Sequence, residues 1–471
     1  MKLLKPIAAY LLTLLVAGGA IFTLIQMGNS LPGPQLPAVA QQGSPWAALL
    51  ANLNHPLSHL FVQLLVIIAV ARAVGGIFAR LGLQAVVGEM VAGILLGPSL
   101  FGWLWPSAFT FVFPTDSMGA LRLLSQVGIC LFMFSVGMEL NLSQARNKAP
   151  TAVAVSHASI VVPFVMGVAL AYFVFVDFAG PSATFVGFAL FMGISMSITA
   201  FPVLARILQE RGMMRTPLGS TAITCAAVDD VTAWSILAFV VAIVRSTSLG
   251  GSVLALAMIG VLLAVMTLGV KRALPRWLGH KGLNEAEPSS STLAVIVCVV
   301  LASALSTEVI GIHALFGAFL AGTVMPEVEG FRERIRARVE KFSSVLLLPL
   351  FFAFTGLRTE IGSLEGAHGW LLCLLIIVIA TTGKLGASAI AARLSGMKWN
   401  ESLQLGALMN TRGLMELIAL NIGYDLGILS PAIFTMLVIM AVVTTLMTGP
   451  LLTLFSRKSA EVPTGGAYSA Q

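Results

Sequence analysis

Residues 226–232 read Ala226-Ala227-Val228-Asp229-Asp230-Val231-Thr232, inside an apolar run from Leu218 to Ile243. A carboxylate at bilayer depth costs about 2.5–3.5 kcal/mol on insertion scales, so an intramembrane acid reads as a functional residue. Two adjacent acids also repel each other. Neighbours on a helix point about 100° apart, so the two groups can face different partners. The stretch therefore reads as a membrane-spanning helix with a buried ionisable site, and it directs the reading toward proton-coupled ion movement.

The rest of the chain fits that setting. Of 471 residues, 58% are hydrophobic and only 10% charged. A soluble domain carries about 25% charged residues, so the fold class is an all-α polytopic membrane protein. The 45 glycines suit close helix packing in lipid. The net charge of +7 does not indicate nucleic acid, because the basic residues lie in short loops between apolar spans. Cys130, Cys225, Cys298 and Cys373 fall singly within apolar spans, with no CxxC or transition-metal spacing, and read as small packing residues.

An apolar run over residues 7–27 follows Lys2 and Lys5. It is either an extra helix or a signal peptide cleaved near Ala38-Val39-Ala40. With the Pro/Gln/Asn-bearing linker it forms an N-terminal segment, residues 1–56. Thirteen spans are expected over residues 57–455, at roughly 57–79, 84–105, 118–138, 151–176, 183–207, 217–245, 252–270, 289–309, 310–326, 342–357, 369–393, 402–423 and 431–455. The polar tail, 456–471, leaves no room for a soluble regulatory domain. One alternate set of loops holds nineteen Lys and Arg, from Arg80 through the run Arg332–Lys341 to Lys458; the other holds only Arg245 and Arg358. The first set is thus cytoplasmic, as is the C-terminus. The expected location is the plasma (bacterial inner) membrane. Arg72, Arg122, Lys384 and Arg412 lie within spans, where a buried base usually implies a buried acid partner.

The sequence also repeats. Gly88-Glu89-Met90-Val91-Ala92-Gly93 with Pro98 resembles Gly317-Ala318-Phe319-Leu320-Ala321-Gly322 with Pro326. Leu131-Phe132 through Gly137-Met138-Glu139 resembles Leu350-Phe351 through Gly356-Leu357-Arg358. The copies lie seven spans apart, and an odd offset inverts the second copy in the membrane, as in secondary transporters. Two inverted six-helix repeats follow, with the seventh span as connector. Such repeats predict two broken helices that cross at the substrate site. The fifth span carries Ser195, Ser197 and Thr199 ahead of Pro202; the twelfth carries Asn410-Thr411-Arg412-Gly413 and then Glu416. Arg412 is placed to neutralise helix C-termini, with Glu416 one turn on as its partner.

Asp229 and Asp230 are the leading ion- or proton-binding candidates. Lys384, in Thr381-Thr382-Gly383-Lys384, lies mid-span with no nearby acid in sequence. It either snorkels to an interface or bridges to one aspartate and opens when a cation arrives. Ser197 and Thr199 offer oxygens to a hard monovalent cation, or else satisfy their own helix. Glu89 reads as a helix cap, and His157 and His313 as core histidines.

With these motifs the chain resembles the monovalent cation:proton antiporter superfamily, in the branch of bacterial potassium-efflux antiporters and plant cation/proton exchangers. The resemblance rests on Gly88–Ser99, Ser197–Leu208, Ala226–Asp230, Leu408–Gly423 and Phe434–Pro450, and it covers about Leu57 to Phe455. It implies a thirteen-helix antiporter with a dimerisation domain and a mobile core, hence a homodimer in lipid. It implies exchange of Na⁺ or K⁺ for H⁺ at Asp230, with Asp229 paired to Lys384, and no cofactor. Members with two acids are typically electrogenic. The plant exchangers mostly carry Asn first, so Asp229 is a departure that leaves the stoichiometry open. The rival readings are a sodium-coupled organic-solute symporter on a related fold, a cation channel, and an intramembrane aspartyl protease. The protease would need Gly-Asp, which does not occur, and Tyr424-Asp425 falls in an expected outer loop.

Overall fold

The computed structural model describes residues 4–28, 52–53, 55–139, 149–214, 216–245, 249–285, 287–328, 330–364 and 366–460. The candidate cleavage site at Ala38-Val39-Ala40, most of the linker, Arg146, Lys148, Arg215 and the tail beyond residue 460 lie outside the described residues. Two units separate, Met1–Ser58 and His59–Gln471. In the first, α1 spans Leu4–Gly28, an apolar helix with its described side chains exposed.

The second unit is helical. It contains α2 (Pro56–Arg80) from His59 on, α3 (Ala85–Leu96), α4 (Met118–Glu139), α5 (Ala149–Phe178), α6 (Phe185–Ser197), α7 (Phe201–Glu210) and α8 (Pro217–Arg245). Then come α9 (Leu249–Ala264), α10 (Ser290–Ile310), α11 (Ala314–Thr323), α12 (Phe331–Phe342), α13 (Leu348–Leu357), α14 (Gly366–Leu394), α15 (Trp399–Met409), α16 (Leu414–Asp425) and α17 (Pro431–Ala460). Among the described residues, eleven helical stretches are long and apolar enough to cross a membrane.

Local chemistry sets the boundaries. Pro217 and Pro431 open α8 and α17, where a missing N–H costs nothing. Thr184 caps α6 by accepting from the Gly187 amide at 3.1 Å. Gly311, in the left-handed region at φ 95°, closes α10.

Two expected loops turn out helical. Lys271–Asn284 continues α9 through a π-turn, with no left-handed residue until Gly279. The basic run from Arg332 to Lys341 is α12, because Phe331 and Ile335 recur at helical spacing and are buried. Its arginines are engaged: Arg336 pairs with Glu139 at 3.0 Å and Arg338 with Glu287 at 2.9 Å.

The repeat is visible in packing. Helix α3 packs on α13, and α4 packs on α11, so each motif of one copy meets the other motif of its partner. A Cβ on Gly93 would stand 2.1 Å from the Phe352 carbonyl oxygen, and one on Gly356 would stand 2.0 Å from the Gly93 carbonyl. The mirrored pair behaves alike. A Cβ on Gly137 would meet the Phe319 carbonyl at 2.2 Å, and one on Gly322 the Phe134 carbonyl at 2.2 Å. Backbone-to-backbone contact of this kind is how membrane helices gain packing energy without a hydrophobic drive. Further pairings correspond across the two copies: α5 on α6 with α14 on α15, and α5 on α8 with α14 on α17. Helices α5 and α14 themselves pack together.

Candidate ion-exchange site

The helical run from Phe185 stops at Ser197 and restarts at Phe201, with Pro202 in the first turn of α7. The run from Trp399 stops at Met409 and restarts at Leu414. Gly413 makes the second restart feasible: its φ of 153° is closed to most side chains, and a Cβ there would meet Val203 at 3.0 Å. The two extended links touch, the Ala200 amide donating to the Thr411 carbonyl at 2.9 Å. Both sets of half-helix ends therefore gather at one buried place.

The carbonyl end of α6 is met by two cations. Arg412 donates to the Ser195 and Met196 carbonyls at 2.5 and 2.6 Å and pairs with Glu416 at 3.2 Å. Lys384 donates to the carbonyls of Ser197 and Ser159, the latter at 3.1 Å. Its third contact is Asp229, at 3.3 Å with both side chains fully buried. An ammonium has three N–H donors, and these contacts use all of them.

Asp229 is densely held. Ser156 Oγ donates to it at 2.6 Å, Ser159 Oγ lies 2.9 Å from both carboxylate oxygens, and Thr199 Oγ1 donates at 2.5 Å. Asp230, one residue on, is 1% exposed, and neither of its carboxylate oxygens has a hydrogen-bond partner. The Phe201 amide, at the N-terminus of α7, approaches it short of hydrogen-bond geometry. The positive end of that half-helix dipole thus faces the bare acid.

The other expected residues scatter. The Ser197 hydroxyl donates to the Gly193 and Ile160 carbonyls at 2.8 and 3.0 Å, so its carbonyl, not its hydroxyl, meets the charged cluster. The Thr199 hydroxyl serves Asp229 rather than Asp230. Glu89 caps nothing: it is buried within α3 and pairs with Arg72 at 3.3 Å. Arg122 pairs with Asp425 at 3.2 Å, yet it and Arg72 are about half exposed, so of these four in-span bases Lys384 and Arg412 are the buried ones. His157 is exposed on α5 and bonds the Val153 carbonyl.

Sequence reasoning missed Ser156 and Ser159. In the sequence they stand as two hydroxyls three residues apart on one helix face, on either side of His157. Asn410, which the sequence gives no distinct role, is fully buried with both amide atoms unpartnered.

The family described as sodium/hydrogen exchanger, transmembrane, matches residues 65–458. The chain belongs to the sodium/hydrogen exchanger family. This exchanger is 43% identical to the Na(+)/H(+) antiporter NhaS4 of Synechocystis, over 83% of this chain and 96% of that protein. It is 38% identical to cation/H(+) antiporter 20 of Arabidopsis thaliana, over 84% of this chain and 48% of that protein. The exchanger thus spans about half the length of its plant relative. The solved structure of the sodium proton antiporter MjNhaP1 from Methanocaldococcus jannaschii shares the fold, with a TM-score of 0.60 at 15% identity, over 87% of this chain and all of that one. The exchanger is an integral membrane protein and a transporter, not an enzyme: a secondary active monovalent cation:proton antiporter working by alternating access.

Proposed function

We propose that Asp230 is the exchange site, where one monovalent cation and a proton displace each other. The observation that carries this reading is the contrast within one dipeptide. Asp229 is saturated with donors, whereas Asp230 is equally buried and bare. A bare carboxylate away from water is tolerable only when a proton or a cation neutralises it. That is the property an exchange site needs.

Asp229 and Lys384 form the fixed electrostatic frame. Lys384 loosens from Asp229 when the cation arrives, and the charge at 229 sets the voltage sensitivity of exchange. Asn410, whose amide is also unpartnered at the crossing, supplies an oxygen to the partly dehydrated cation. The cation is Na⁺ or K⁺; we put Na⁺ first because the relative matched over 96% of its length is named for it.

In the finer architecture, the eleven long apolar stretches are joined by α11 and by the interrupted pair α15–α16 to give thirteen spans. The spans divide into two inverted six-helix repeats with α9 as connector. Helices α5–α8 and α14–α17 form the mobile core, which moves against the remainder within a homodimer. The C-terminus faces the cytoplasm of a plasma (bacterial inner) membrane, on the Lys/Arg count.

The test is dissipation of a pH gradient in proteoliposomes by Na⁺, K⁺ and Li⁺ in turn, with the membrane potential clamped or free. Wild type should exchange at least one of these ions with strict coupling, and its apparent KM should fall as pH rises, because proton and cation compete. Exchange that survives Asp230→Asn would sink the assignment.

A further inference from the structure

At the opposite end of α4 from Glu139, helices α4, α11, α13 and α16 meet around a cavity of about 20 Å³. Its polar wall consists of Ser125, Gln126, His313, Asn421 and Asp425, Gln126 being only partly buried. Ser125 is 1% exposed, and its Oγ has no partner. The Nδ1 of His313 is also buried and unpartnered. His313 holds a φ of 118°, a backbone conformation that side-chain-bearing residues seldom adopt. Beside the cavity, Asp425 is pinned by Arg358 at 2.6 Å and by Arg122 at 3.2 Å. Arg358 also donates to Asn421 at 2.9 Å, and its guanidinium lies 4.2 Å from the centre of the Phe354 ring.

The volume suits a single water molecule. An occupant must donate to one unpartnered group and accept from another, and water does both. We propose that this cavity holds one water and is a waypoint for the exchanged proton on the Asp425 face, with His313 as the carrier. In the inward step the cavity water gives one proton to Nδ1 as it takes another from solvent on the Asp425 face, and the imidazolium passes its Nε2 proton to water on the way to Asp230; the reverse sequence restores the tautomer, and only N–H and O–H bonds change. The charged groups that face His313 are Glu308 on α10, Arg245 at the end of α8, Arg122 on α4 and Asp425 on α16, with Arg358 on α13 behind Asp425. Glu308 is otherwise engaged in capping the Ala314 amide at 2.8 Å. This inference rests on Asp230 as the exchange site, because the proton must come from or go to that carboxylate.

The test uses the full-length protein in proteoliposomes, with a Glu360→Cys label to identify the Asp425 face whatever the orientation in the cell. Exchange is measured against pH on each face separately. Ser125→Val fills the cavity, Ser125→Ala keeps the space but removes the hydroxyl, and His313→Asn keeps a polar residue that tolerates positive φ. Ser125→Val and His313→Asn should slow exchange at least about fivefold and flatten its dependence on the pH of the Asp425 face. Its dependence on the pH of the opposite face should stay within about twofold of wild type, and Ser125→Ala should fall between. Equal flattening against the pH of both faces, or no loss in either variant, overturns the waypoint. The exchange site fails separately, through activity retained in Asp230→Asn.

Discussion

Asp229 and Asp230 share a helix, a depth and a chemistry, yet one is wrapped in side-chain donors and the other has none. The difference comes from what each faces. Asp229 looks toward α5 and α14, which bring two serines and a lysine. Asp230 looks toward the restart of α7, which brings a backbone dipole and no side-chain donor. On the proposed reading, stability and transport fall to neighbouring residues, and the two can be pulled apart experimentally.

The largest expected effect is on transport. Asp230→Asn should lower exchange by at least about 100-fold, to background in a vesicle assay, because an amide cannot bind and release the proton. The same change should leave the melting temperature unchanged or raise it, since it removes a buried charge that has no partner.

Asp229→Asn should behave in reverse. It leaves Lys384 buried without its counter-ion, and breaking such a pair costs about 3–5 kcal/mol. The melting temperature in detergent should fall, while exchange persists with altered voltage dependence. Asp229→Asn combined with Lys384→Met should recover part of the loss, and a double-mutant cycle would measure the coupling. Additive losses would show that the pair is not a unit.

The glycine contacts join other helices than those that hold the two carboxylates, and they calibrate the contrast. Gly93→Val forces side-chain atoms onto the Phe352 carbonyl, where the first already falls at 2.1 Å. Overpacking of this kind costs about 1–3 kcal/mol. The yield of folded protein should drop, and the surviving transporter should keep its cation preference and pH profile. The smallest effect belongs to Ser156→Ala. It removes one of several donors to Asp229 and should cost about 1.5 kcal/mol, with exchange nearly intact.

These contrasts were only partly legible in the sequence. Apolar runs and their breakers are local features, so Pro202 and Gly413 stand out in the sequence, as do the Gly93 and Gly322 motifs. The environment of a carboxylate is not local. Ser156 and Ser159 lie 73 and 70 residues from Asp229. A hydroxyl in an apolar helix is by default satisfied by its own backbone. Ser197 and Thr199 look interchangeable on paper, but α6 ends between them and sends one hydroxyl into the helix and the other onto Asp229. The run that forms α12 reads as a loop in the sequence, because its arginine count outweighs the helical spacing of Phe331 and Ile335.

The most direct measurement is proton release from the purified protein in weakly buffered solution when Na⁺ or K⁺ is added. Wild type should release protons on cation binding, Asp229→Asn should still do so, and Asp230→Asn should release none. Undiminished release from Asp230→Asn, or its loss in Asp229→Asn alone, would contradict the assignment of exchange to the bare carboxylate.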